Sequence, residues 1–152
     1  MNINELYLKT AFACMACDGE IATEEVALVK RWTTDNSHLF GDLDVESTLN
    51  AYIAEINQQG KAFLSLYISE LATANLTEAE QLQLLTIAIE MIEADNKIEY
   101  SEVAFFKKIR FKLPIPDAAI LAKFPDKERF LLPDIIEPDE WDFPLKFDNI
   151  SL

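Results

Sequence analysis

The sequence predicts an all-α fold of six or seven helices followed by an extended C-terminal arm, and three observations carry that prediction. All six prolines fall between Pro114 and Pro144, so residues 1–113 contain none of the residue that most reliably breaks a helix. No segment alternates apolar and polar residues for long enough to argue for a strand. The third observation is a unit of helix, tight acidic turn and helix that is written twice. At a fixed offset of 77 the pairs Asp18/Asp95, Ile21/Ile98, Glu25/Glu102, Val26/Val103, Ala27/Ala104 and Lys30/Lys107 are identical, and Gly19 faces Asn96. Glycine and asparagine are the residues that most readily take a left-handed backbone at a helix end.

The elements follow in order. A first helix is expected over Asn4–Cys17, and its second half, Ala11–Cys17, is apolar on every side, which marks a surrounded helix. Gly19 ends it. Thr23 is expected to cap a second helix, with Glu24 and Glu25 in the positive first turn and Lys30 and Arg31 near the far end. This helix fades over Thr33–Ser37, and Gly41–Asp44 reads as a loop ending in a cap. A third helix over Val45–Gln58 carries Leu49, Tyr52, Ile53 and Ile56 on one face, and Gly60 breaks it. The fourth, Lys61–Ala74, has the stripe Phe63, Leu64, Tyr67, Ile68 and Leu71. Thr77 and Glu80 form a capping box that opens a fifth helix running to Ala94, again apolar almost all round. A sixth covers Tyr100–Lys112, so helices 5 and 6 are the counterparts of 1 and 2. The duplication predicts helices 1 and 5 crossing at the centre, with the two turns on one face about a pseudo-twofold axis.

Past Pro114 the character changes. Pro116–Lys123 reads as one more short helix, which closes a helical domain over residues 1–123. Residues 124–152 form a second region rich in proline, acids and aromatics (Phe124, Phe130, Trp141, Phe143 and Phe147), too apolar for a typical disordered tail. The expectation is an arm lying in an apolar groove of the body or, by exchange, of a second copy in a dimer.

Charge narrows the function. With 27 acidic and 13 basic residues the net charge is −14, which repels phosphate backbones and argues against nucleic acid and anionic membranes as partners. The basic cluster Lys107–Lys112 falls late on a helix, where cations complement the dipole. The first residues are not a basic-then-apolar leader, and no 18-residue uncharged span occurs, so a cytoplasmic protein without membrane insertion is expected.

The acidic turns look like half of a calcium loop. With Gly19 at the sixth loop position, Ile21 takes the eighth and Glu25 the twelfth, but the first and third positions are Cys14 and Ala16. In the second copy they are Met91 and Glu93. Neither copy supplies side-chain oxygen at the first position, which argues against ordinary calcium-loop binding. Two uses of the carboxylates remain. Asp18, Glu20, Glu25, Asp95 and Glu102 can share a divalent cation (calcium, magnesium or manganese) if the turns approach each other. Alternatively each Asp accepts turn amides, each Glu serves the first turn of its following helix, and Ile21 and Ile98 plug the core.

Cys14 and Cys17 are formally a C-x-x-C pair, but at the C-terminal end of an apolar helix the dipole opposes thiolate, so they read as small core residues. His38 is the only histidine, and no nucleophile–base pair or nucleotide fingerprint occurs. The expectation is therefore a non-enzymatic protein.

With both turns aligned, residues 1–113 resemble the tellurite-resistance TerB-like family, whose members carry an Ala-Asp-Gly-x-Ile-x-x-x-Glu signature near the end of the first helix. The matching residues are Asp18-Gly19-Glu20-Ile21 with Glu25, and Ala94-Asp95-Asn96-Lys97-Ile98 with Glu102. Cys17 stands where the family has alanine, and Asn96 replaces the second glycine. The resemblance implies an all-helical, duplicated stress-response module that associates with partner proteins or binds metal. Two functions follow from it: a protein-interaction adaptor, or a divalent-metal-binding protein.

Overall fold

The computed structural model describes residues 2–35, 39–94, 100–131 and 145–152. Among them the fold is all-α, with seven helices and no strand. The helices are α1 (Ile3–Ala16), α2 (Thr23–Asp35), α3 (Val45–Gln59), α4 (Lys61–Thr73), α5 (Glu78–Ile92), α6 (Tyr100–Phe111) and α7 (Asp117–Lys123). A single 3₁₀ turn at Glu128–Leu131, which the sequence pattern does not announce, packs on α6 through the Phe106–Phe130 ring pair.

Why these residues make these helices is visible at their ends. Asn2 caps α1 by accepting the Glu5 N–H at 2.9 Å. Asp44 caps α3 through Ser47, and Thr77 and Glu80 form both halves of the capping box on α5. Gly19 (φ 84°) and Gly60 (φ 62°) take the backbone that ends α1 and divides α3 from α4. At α2 the expected cap is displaced by one residue. Thr23 is the first helical residue, and the carbonyl of Ala22 accepts the N–H groups of Glu25 and Val26. The side-chain cap comes from Glu25 instead, because its longer side chain reaches back to the Ala22 N–H.

The most extensive helix contact joins α1 to α5, and α1 also touches α3, α4 and α6. Every residue from Leu6 to Cys17, the cap that follows α1, is buried, and the all-round apolar stretch Ala11–Cys17 accounts for the second half of that run. Two polar residues in that run are satisfied within the core. Thr10 donates to the Leu6 carbonyl at 2.8 Å and meets the Tyr67 hydroxyl at 2.6 Å. Lys9 pairs with Glu70 at 2.6 Å, with its ammonium over the Phe63 ring. Gln81 fastens the segment after α6 to the start of α5 by donating to Leu76 O and accepting from Ile115 N. Arg110, in the basic cluster, donates to the Leu113 carbonyl beyond the end of α6 and pairs with Asp117 on α7.

No described helix is long and apolar enough to cross a membrane. The second acidic turn, residues 95–99, and the loop holding His38 lie outside the described residues, as do Trp141 and Phe143 of the arm.

Candidate functional site

The first acidic turn is built on local hydrogen bonds. Asp18 Oδ1 accepts the Glu20 N–H at 3.0 Å, an Asx turn, and Glu25 Oε1 accepts the Ala22 N–H at 2.7 Å. Glu20 is exposed and Asp18 half-buried, whereas Glu25 is 3 % exposed. Glu102 on α6 is equally buried at 3 %. Glu25 and Glu102 both act on the Cys14 thiol near the end of α1: burial pushes that thiol far up, and these two carboxylates push it further. Cys17 is raised by burial and then by Cys14, Asp18 and both glutamates. Its Sγ donates to the Cys14 carbonyl, and both cysteines are free and fully buried. Of the five carboxylates expected to share a cation, Glu25 and Glu102 are buried and, with Asp18, act on the Cys17 thiol. Asp18 and Glu20 stand at the turn surface, and Asp95 lies outside the described residues. Among the described residues no three Cys, His, Asp or Glu side chains form a metal-holding group.

A different site emerges on α3. Residues 145–152 carry no helix or strand and run along this helix in the opposite direction, held by side-chain amides. Asn57 Nδ2 donates to the Phe147 carbonyl at 2.9 Å, and the Phe147 N–H returns to Asn57 Oδ1 at 2.8 Å. Seven residues earlier, Asn50 repeats the arrangement on Ile150, with bonds of 3.1 and 2.8 Å. Lys146 donates its ammonium to the Asn57 carbonyl, and the Leu152 N–H donates to Glu46 Oε1 at 2.9 Å.

The spacing explains why two asparagines suffice. Two turns of helix rise about 10.5 Å, and three residues of extended chain cover about 10 Å. A segment running antiparallel to α3 therefore presents a main-chain N–H and C=O to Asn57 and again to Asn50 only if it is nearly fully extended. Its apolar side chains turn inward: Leu145 and Ile150 are buried, and Phe147 meets the Phe12 ring edge-on at 6.5 Å.

The segment does not fill the space it occupies. Between it and the first acidic turn runs an open groove of about 430 Å³, with Glu20, Ile21, Thr23 and Val26 on one wall and residues 146–151 on the other. A second groove, of about 410 Å³, lies between α2 and α5 beside Trp32 and Glu90. There burial raises the Glu90 carboxyl, opposed by Lys123 and by a hydrogen bond from Trp32.

Sequence reasoning reached the turn residues and overlooked Asn50 and Asn57. The available signal was a pair of poor helix formers seven residues apart on the polar face of an amphipathic helix. No family model, curated protein or solved structure matches this chain.

Proposed function

We propose that the chain is a non-enzymatic protein-interaction adaptor, of the stress-response kind that the TerB-like resemblance implies. The observation that supports it is the α3 face, where Asn50 and Asn57 each grip one residue of an extended segment by both its N–H and its C=O. Amide pairs aimed at the main chain recognise a segment by its extended form, and apolar seats such as that of Ile150 add selectivity. Residues 145–152 are then the resident occupant of a peptide-reading face. The test is affinity capture from the native organism, with the Ile150→Asp chain as bait to loosen that occupant. A protein retained on this bait and lost when Asn50→Ala and Asn57→Ala are added is the expected result. Identical capture on both baits contradicts the reading.

The alternative, a divalent cation held by Asp18, Glu20, Glu25, Asp95 and Glu102, has one observation in its favour. Glu25 and Glu102 are both buried at the Cys14–Cys17 end of α1. Against it, Glu25 and Asp18 already serve backbone N–H groups. Calorimetric titration with calcium, magnesium and manganese after chelator treatment separates the two. Saturable heat that disappears in Asp18→Ala and Asp95→Ala supports the cation, and no heat removes it.

A further inference from the structure

We propose that the groove between α3 and the first acidic turn is a receptor for an extended segment of another protein. That segment carries apolar residues at the places of Phe147 and Ile150 and a lysine or arginine at the place of Asp148 or Asn149. Residues 145–152 are its weaker, tethered stand-in. The inference rests on the adaptor reading and specifies the partner.

The charges make the argument. Among the described residues three charged ones line the groove: Glu20 on the turn, and Lys146 and Asp148 on the segment. Lys146 directs its ammonium to the Asn57 carbonyl on α3. The two others, Glu20 and Asp148, are both exposed and carry the same sign across an unfilled space. On a chain of net charge −14, the resident segment therefore sets an acid against an acid where a base would be attracted. The main-chain contacts are indifferent to that choice, because Asn50 and Asn57 touch only N–H and C=O groups at Ile150 and Phe147. A partner with a long basic side chain keeps all four amide bonds, fills the groove and offers Glu20 a charge of the opposite sign. It needs that advantage, because a tethered occupant competes at an effective concentration of order mM.

The test uses the full chain carrying Phe147→Ser and Ile150→Ser, which loosens the resident segment without touching α3 or the turn. Two fluorescein-labelled peptides are titrated by polarisation: residues 145–152 as they stand, and the same peptide with Asp148→Lys and Asn149→Arg. The basic peptide is expected to bind about 3- to 10-fold tighter, the size of one or two exposed charge pairs. That preference should vanish in Glu20→Lys and in high salt. Adding Asn50→Ala and Asn57→Ala should weaken both peptides about 10-fold or more, as the loss of paired amide bonds requires.

Peptides that bind equally well but need both asparagines overturn the proposed partner and leave the adaptor reading standing. Binding of neither peptide overturns both. A second measurement leaves the apolar contacts intact. In the otherwise native chain, Asp148→Lys should slow hydrogen exchange at the Phe147 and Ile150 amides, and Glu20→Lys should undo the gain. Unchanged exchange in Asp148→Lys contradicts the proposal.

Discussion

Glu25 accepts the backbone N–H of Ala22 at 2.7 Å from a side chain that is almost wholly buried, closing the first turn of α2 on itself. The residue that most suggests a calcium loop in the sequence thus serves as a helix cap. Ala22 has no side-chain oxygen to offer the opening turn, so the glutamate supplies half of a capping box alone.

Truncation should expose that role. Glu25→Ala removes the acceptor and leaves the Ala22 N–H without it, a cost of about 1–2 kcal/mol in chelator-treated protein. Denaturant unfolding of the two chains checks this. Equal midpoints in chelator, with a difference only when metal is added, would return Glu25 to the cation.

Tyr67 and Thr10 offer a sharper case inside the core. Thr10 spends its one proton on the Leu6 carbonyl, so the Tyr67 hydroxyl is the donor in their 2.6 Å bond. Tyr67→Phe should then cost about 1 kcal/mol, since Thr10 keeps a partner. Thr10→Val should cost more, about 2–3 kcal/mol, because it strands a buried phenol. The double variant should fall short of the sum, and a thermal double-mutant cycle measures the difference.

Alkaline pH should weaken the fold. Burial raises the Cys14 and Cys17 thiols and the Tyr52 and Tyr67 phenols above their ordinary values of 9.0 and 10.0. A group whose pKa is raised by folding contributes its full stability below the unfolded-state value, and that contribution is lost as pH climbs past it. The melting temperature should therefore drop as pH rises through about 9 and above, more steeply than in Cys14→Ala/Cys17→Ala. At neutral pH neither thiol should react with a disulfide reagent before the chain unfolds. Fast labelling of folded protein would contradict the burial.

The helices were legible in the sequence for local reasons. Glycines, one capping box and the absence of proline before Pro114 mark the ends of α3, α4 and α5 to within about two residues. The run Ala11–Cys17, apolar on every side, and the run Leu84–Ile92, broken only by Thr86 and Glu90, mark α1 and α5, which make the most extensive helix contact. The cap of α2 was misplaced onto Thr23 because residue preference favours threonine, while the outcome turned on how far Glu25 reaches. The pairing of Asn57 with residue 147 and of Asn50 with residue 150 was not legible. The partners are separated by 90 and 100 residues, and no periodicity links a pair of asparagines to a chain segment so far away.

On the proposed reading, α3 holds the main chain of an extended segment through Asn50 and Asn57. Residue-resolved hydrogen exchange at Phe147 and Ile150 tests it most directly, because those N–H groups donate to the two asparagine side chains. Protected amides are expected in the native chain. In Asn50→Ala/Asn57→Ala both should exchange about 10-fold faster or more, while the amides of α1 and α5 keep their protection. Exchange at Phe147 and Ile150 that is already free in the native chain, or unchanged in the double variant, would contradict it.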